Sequence, residues 1–352
     1  MENYDVVIVG SGPAGSCAGK ALKDSGLNVL ILEKKKLPRY KMCSGMLFPD
    51  ALSFLKKNYG EIPDNVLSHP ELYYNGMKMI LAGGQEVDIP LEPISSTKDP
   101  ELIKIGVARR TEFDYWLLQE SGALVKDDCR LKGYKSDEEG ITLSVFHGDK
   151  NIALKTRYLI GADGAKSVTR DITYPNFKNE VGWLFAYDEI WTGSLDLDPK
   201  YFWGFADRKF GEFYAGLSAR DNTWIPLTAV KEGSDVKPYF EAFIEHLKKE
   251  YNFKPDKLVA KTGCVINTFP NKFYLGADNV ILAGDAGCFM NLIGEGISSA
   301  LSTGFIAGKA VLESIKSKND LISTYSNLVQ GEMDRTLAQH EFGKKMGLDV
   351  FF

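Results

Sequence analysis

Three glycines, one acid and two later Gly–Asp pairs are the residues of this sequence whose types and spacing point to chemistry. In "VVIVGSGPAGSCAGKALKDSGLNVLILEKK" (residues 6–35), Gly10, Gly12 and Gly15 directly follow a run of apolar β-formers. Gly10 lets the chain turn sharply off a strand. Gly12 offers bare backbone that a pyrophosphate can approach, and Gly15 lets a helix pack close to the strand. A helix opening at Pro13 and Ala14 aims free N–H groups and its positive end at phosphate. Glu33, 18 residues after Gly15, closes a second apolar run and is followed by Lys34. An acid at that place accepts hydrogen bonds from ribose hydroxyls and disfavours a 2′-phosphate. The expected nucleotide is the adenosine of NAD or FAD rather than of NADP.

Two later signatures separate NAD from FAD. "YLIGADGAKSVTR" puts Asp163 and Gly164 at a strand end, and "VILAGDAGCFMNLIGEGISSAL" puts Asp285 at another, before a glycine-rich turn that opens a helix near Gly294. A strand ending in Gly-Asp can offer its carboxylate to the hydroxyls of a ribityl chain. The helix that follows can aim amides at a ring that gains negative charge on reduction. Reduced flavin is such a ring, so the expected cofactor is FAD.

The elements that must position these residues follow from periodicity. Residues 4–9 and 28–33 read as buried strands flanking a helix over 14–24, a βαβ opening on a parallel sheet. Helices are expected at 49–58, 235–250, 295–315 and 319–345, and "TEFDYWLLQESG" as a helix stopped at Gly122. Short strands "ALVKDD", "RLKGYKS", "ITLSVFH" and "NIALKTRYLIGADG" suggest a meander hairpin. Residues 180–230 hold longer, aromatic-rich strands. Two strand styles interleave, so the expected fold is α/β. A Rossmann-like FAD-binding domain with a parallel sheet (1–58, 105–172 and 270–352) is interleaved with an α+β substrate domain on a mostly antiparallel sheet (59–104 and 173–269).

Composition sets outer limits. Hydrophobic residues at 44% and charged residues at 25% suit a globular chain with a large core, and a net charge of −5 offers no basic field for nucleic acid. Five cysteines without a C-x-x-C pair argue against a zinc knuckle or a disulfide framework and fit a reducing cytoplasm. The four histidines fall outside every motif above, so neither a metal site nor a histidine triad is expected. No apolar stretch approaches the roughly 18 residues of a membrane span.

The trio of motifs resembles the FAD-binding fold of the p-hydroxybenzoate hydroxylase type, and within it the geranylgeranyl reductase (FixC-like) family, over nearly the whole length. "KKLPRYKMCSGML" resembles that family's loop, in which a cysteine and a glycine lie over the flavin. "VARRTEFDYWLL" matches its R-x-x-F-D-x-x-L, "IGADGAKSVTR" its D-G motif, and "GDAGCFMNLIGEGI" its G-D-A-A-G-x-x-x-P-x-x-G-E-G-I. The resemblance implies FAD contacts at Gly10, Gly12, Pro13, Ala14, Gly15, Glu33 and Lys34. It adds Cys43, Ser44, Gly45 and Met46 in the cysteine loop, Arg110, Asp163, Gly164, Asp285, and Gly294, Glu295, Gly296 and Ile297. A backbone contact to adenine is implied near Arg130 and Leu131. Asn291 stands where the family often has proline, in a segment one residue shorter. The family's substrate motif Y-x-W-x-F-P is kept as Tyr201, Trp203 and Phe205, with Ala206 in place of proline.

The aromatic strands suggest an apolar chamber lined by Tyr201, Trp203 and Phe205, suited to an isoprenoid, lipid-like or aromatic substrate. Two readings of Cys43 stand: a thiol that contacts substrate or supplies a proton, and a small filler. No carboxylate or histidine is visible as a proton donor. The basic run Lys34, Lys35, Lys36, Arg39 and Lys41 is either a solvated turn or a steering patch for a diphosphate, a headgroup or a reduced nicotinamide. The leading expectation is a cytoplasmic FAD-dependent oxidoreductase reducing C=C bonds. Its electrons would come from an external donor, NAD(P)H or a redox protein, because no second dinucleotide loop is present. The terminal "MGLDVFF" could touch a membrane, a partner or the protein itself. An aromatic monooxygenase shares all three motifs. "TWIP" at 223–226 faintly echoes a halogenase signature, and a non-catalytic flavin-binding protein is the alternative of another class.

Overall fold

The computed structural model describes residues 1–69, 73–268, 272–291 and 294–345. In chain order the strands and helices begin with β1 (Glu2–Val9), α1 (Pro13–Leu22), β2 (Val29–Leu32), β3 (Met46–Leu47), α2 (Pro49–Tyr59), β4 (Tyr73–Tyr74), β5 (Gly76–Leu81) and β6 (Glu86–Ile89). They continue through β7 (Ile105–Val107), α3 (Arg110–Glu120), β8 (Leu124–Lys126), β9 (Cys129–Asp137), β10 (Gly140–His147), β11 (Lys150–Gly161) and α4 (Val168–Thr173). The remainder are β12 (Trp183–Ser194), β13 (Tyr201–Ala206), β14 (Ala215–Arg220), β15 (Thr223–Lys231), α5 (Lys237–Tyr251), β16 (Lys254–Asn267), β17 (Gly276–Ala277), β18 (Val280–Leu282), α6 (Ile297–Ser317) and α7 (Leu321–Lys345).

The chain forms two compact units, residues 1–40, 111–181 and 269–341 in the first, and residues 41–110, 182–268 and the C-terminal residues in the second. In the first unit, β18, β11, β1, β2 and β8 are parallel neighbours, and β9, β10 and β11 form an antiparallel meander. Strand alternation explains why both faces of β1 are apolar. Val6 and Ile8 turn to one side and pack with Ala14 and Ala18 of α1, Ala307 and Val311 of α6, and Tyr325 and Val329 of α7. Val7 and Val9 turn to the other side and meet Leu131, Leu143 and Val145 of the meander. Helices α1 and α6 touch backbone to backbone: a Cβ on Gly304 would stand 2.1 Å from the Ala14 carbonyl oxygen, and one on Gly308 2.6 Å from that of Ala18. Only glycine permits that approach.

The second unit holds a seven-stranded sheet in the order β16-β12-β15-β14-β13-β5-β6, antiparallel except for the β13–β5 pair. Helix α5 covers one face through Phe243 and Leu247, which pack with Trp203, Phe205, Leu217 and Trp224. A smaller sheet joins β3, β7 and β4. The units divide at other residues than the sequence boundaries did. Residues 41–58 go with the second unit because β3 pairs with β7 and Leu52 of α2 packs onto Gly106.

Candidate functional site

Gly10 leaves β1 with φ +105°, and a Cβ there would stand 2.3 Å from the Ala162 carbonyl oxygen, so both the turn and the packing demand glycine. Gly15 packs as closely onto the Gly10 carbonyl, at 1.8 Å from a Cβ. Gly12 differs: it is the N-cap of α1 with no side-chain cap, Pro13 follows, and the nearest atom to a Cβ is Arg39 Nη2 at 3.6 Å. The first turn of α1 thus presents backbone N–H groups beside a guanidinium, a cradle that fits a pyrophosphate.

Glu33 ends β2, buried. Its Oε2 accepts from Ser11 Oγ at 2.7 Å and from the Ser11 amide at 3.2 Å, and its Oε1 accepts from the Lys35 amide at 3.0 Å. Arg39 Nε lies 3.1 Å from Oε2, and its Nη1 bonds Asp114 at 2.9 Å. Burial opposes the carboxylate, but the Arg39 charge, the Ser11 hydroxyl and the Lys35 amide outweigh it and hold the pKa below the ordinary value. The sequence reading missed Ser11 and Asp114 and treated Arg39 only as part of a basic run. Asp114 is the acid of the quoted R-x-x-F-D motif, which was the available signal. A cavity of about 180 Å³ is lined by Lys34, Asp128, Arg130, Lys132, Phe146 and Gly148. The Leu131 side chain points into the core, while β9 pairs only with β10, which leaves its outer edge free of strand partners among the described residues.

Asp163 is occupied by its own loop. Its carboxylate accepts from the Val168 amide at 2.8 Å, the Thr169 amide at 3.2 Å and the Ser167 hydroxyl, closing the turn into α4. Burial raises its pKa against these donors. Gly164, at φ +81°, has open space where a Cβ would be. Arg170, fully buried, ties this loop to the third motif. It donates to the carbonyls of Ala165 at 2.6 Å and Asp285 at 3.4 Å, and lies 3.5 Å from the centroid of the Phe177 ring.

Asp285 sits half-buried in a tight turn after β18, with its Oδ1 3.1 Å from where a Gly296 Cβ would be. Gly294 has φ +78° and open space around a Cβ position. Glu295 is buried and accepts the Ser298 amide at 2.7 Å. Helix α6 begins at Ile297 with Gly296 as an uncapped N-cap. The Ser298 hydroxyl, in that first turn, is buried with no partner among the described residues. An orphaned hydroxyl at the start of α6 is what a polar ring edge would satisfy, so these residues fit a flavin. The first unit thus gathers the glycine loop, Glu33, Gly164, Asp285 and the α6 turn.

In the second unit, the Cys43 loop is pinned to β7: the Ala108 amide donates to Gly45 O at 2.8 Å, beside the β3 pairing of Met46 with Val107. Cys43 is half-buried, and its Sγ accepts the Gly45 amide at 3.4 Å; Ser44 is likewise half-buried. Arg220 Nη1 donates to the Cys43 carbonyl at 3.3 Å. Arg110, buried, begins α3.

The sheet places Tyr201, Trp203 and Phe205, the residues expected to line a chamber, on one of its faces. These odd-numbered residues of β13 point to the α5 face. Phe205 packs on Phe243 at 5.0 Å and Phe210 at 6.4 Å between ring centroids, and Trp203 Nε1 is spent on the Asp198 carbonyl. Alternation sends the even-numbered residues to the other face. One row crosses six strands there in register: Thr262, Asp188, Leu227, Gly216, Gly204 and Met79. Asp188, 2% exposed, accepts from Thr262 Oγ1 at 2.5 Å. Burial raises its pKa against the Thr262 bond and the Arg220 charge. Ser218, two residues along the same face, has a fully buried hydroxyl without a partner among the described residues. The sequence reading found no such acid, because Asp188 stands in "YDEIW" with no motif around it.

A nucleotide-binding βαβ unit, two further glycine–acid turns and this fold define a FAD-binding protein. The chain belongs to the family described as FAD binding domain, which matches residues 3–330. It is similar to Protein CbrA of Escherichia coli O9:H4 (strain HS), 27% identical over 331 residues, covering 91% of this chain and 84% of that one. Among solved structures it resembles a geranylgeranyl bacteriochlorophyll reductase-like protein from Thermoplasma acidophilum, with a TM-score of 0.78 at 18% identity, covering 96% of this chain and 87% of that one. It also resembles aklavinone-11 hydroxylase in complex with FAD and aklavinone, with a TM-score of 0.67 at 17% identity, covering 93% and 65%. The flavin-dependent brominase Bmp2 shares the same fold, with a TM-score of 0.70 at 16% identity, covering 99% and 93%. No helix among the described residues is long and apolar enough to cross a membrane.

Proposed function

We propose that this protein reduces a C=C bond of an apolar, isoprenoid or lipid-like substrate. Bound FAD supplies the hydride, and an external donor, NAD(P)H or a redox protein, restores it. The observation that carries this reading is Asp188, a buried acid on the sheet face that α5 leaves uncovered. Adding hydride to one alkene carbon requires a proton at the other. A carboxyl whose pKa burial has raised holds its proton to higher pH than an exposed carboxyl does. Leu227, Met79 and Phe202 make the same face apolar, with Met79 and Phe202 buried, and Ser218 adds a buried polar point. On this reading the glycine loop holds the pyrophosphate, Glu33 the ribose, and residues 294–297 the flavin edge. Cys43 remains a candidate for contact with substrate.

The test is anaerobic. FAD-loaded protein is reduced with dithionite and mixed in turn with isoprenoid alkenes, quinones and oxygen while flavin absorbance is followed. Reoxidation by an alkene, with a saturated product whose two added hydrogens both derive from solvent, is expected. Asp188→Asn is expected to slow that step 10²–10⁴-fold, roughly the worth of a positioned acid, without changing the flavin spectrum. Reoxidation only by oxygen with a hydroxylated product would replace this reading with a monooxygenase. Reoxidation by nothing would leave a flavin-binding protein.

A further inference from the structure

The turn between Asp285 and α6 is rich in glycine and has little conformational preference of its own. Its shape comes from Asn291, which is buried. The Asn291 carbonyl accepts the Gly294 amide at 3.0 Å, and its own amide donates to the Glu295 carbonyl at 3.2 Å. Its side-chain Oδ1 accepts the Glu295 amide at 2.8 Å. That leaves Nδ2, which donates to Gln339 Oε1 on α7 at 3.0 Å. Three other residues of α7 share this face of the helix at three- and four-residue spacing. His340 Nε2 reaches the Met290 carbonyl at 3.3 Å, Arg335 Nη2 donates to Ser299 Oγ in the first turn of α6 at 3.0 Å, and the Thr336 hydroxyl is buried without a partner among the described residues.

We propose that Gln339 is a positioning residue for the cofactor: acting through Asn291, it sets the turn that leads into α6 and so the direction of the α6 amides. The resemblance to reductases gives no role to α7, and in that family proline often stands where Asn291 does. A proline stiffens the turn from within; here a hydrogen bond from a distant helix does so from outside. The inference rests on the reading that residues 294–297 meet the flavin.

The test measures FAD dissociation by flavin fluorescence and the midpoint potential of bound flavin in purified protein. Gln339→Leu leaves Asn291 Nδ2 without its acceptor, and FAD binding on the order of tenfold weaker is expected, with a shifted potential. Gln339→Glu keeps an acceptor at the same reach and is expected to bind within about twofold of wild type. Wild-type affinity and potential in Gln339→Leu would overturn the proposal. Should Gln339→Leu fail to fold, Gln339→Asn withdraws the amide by one methylene; the same loss is expected, and wild-type binding would be equally fatal. Gly294→Val separates the two layers, since a side chain at that positive φ distorts the turn directly. Loss in Gly294→Val with none in Gln339→Leu removes only the role of α7. No loss in either removes the reading that the turn meets the flavin.

Discussion

Glu33 combines burial with three kinds of donor, and its titration gives the clearest pH dependence in the molecule. Its folded pKa lies below the ordinary 4.5. The stability it contributes is therefore fully present above pH 4.5 and is lost as pH falls through the lowered value. Thermal melts of flavin-free protein between pH 7 and 3 are expected to show a steeper acid limb for wild type than for Glu33→Gln. Parallel limbs would mean the carboxylate is not held by Arg39 and Ser11. Arg170 makes a second argument at this scale. Replacing it with leucine strands the half-buried carbonyls of Ala165 and Asp285, acceptors that cost up to about 1–3 kcal/mol each when unpaired. Chemical denaturation is expected to show a loss of about 3 kcal/mol or more. Glu33 was legible in the sequence because it stands at a fixed distance from a glycine loop. Its partner Arg39 was not, since a salt bridge across a loop leaves no periodic trace.

At the scale of elements, the strands and helices were legible wherever periodicity was strong. The βαβ opening, the meander and the two closing helices fall within a few residues of their expected ranges. The β13 face was not. A period of two shows that Tyr201, Trp203 and Phe205 lie together, but it does not say which side of the sheet receives a helix. Helix α5 decides it, from about forty residues further along the chain. Phe205→Ala is accordingly expected to cost about 3–5 kcal/mol of stability, as an emptied core site does, while substrate KM in the folded fraction stays unchanged. A selective rise in KM with little loss of stability would return these rings to the substrate. A bulky residue in the α1–α6 seam, Gly304→Val, is expected to weaken FAD binding although it touches no cofactor, because it pushes on the Ala14 backbone. Equilibrium dialysis against FAD measures this directly.

Over the whole molecule, the sequence conveyed a two-part architecture through its alternation of buried parallel strands and long aromatic strands. It misplaced the boundaries by up to about eighteen residues, because the Cys43 loop and α2 are held by short strands that carry no pattern of their own. FAD binds the folded chain and not the unfolded one, so its presence must raise the unfolding free energy. At a hundredfold excess over its dissociation constant the gain is about 2.7 kcal/mol. A melting temperature independent of added FAD would mean that the purified chain does not take up this nucleotide.

The glycine seam has one more consequence. It locks the helix that would greet the phosphates to the helix that would greet the isoalloxazine, so the span between those two ends behaves as a ruler cut to one length. A mononucleotide such as FMN reaches only one mark on it. On the proposed contacts, spacing alone would favour the full dinucleotide before any side chain has inspected the adenine.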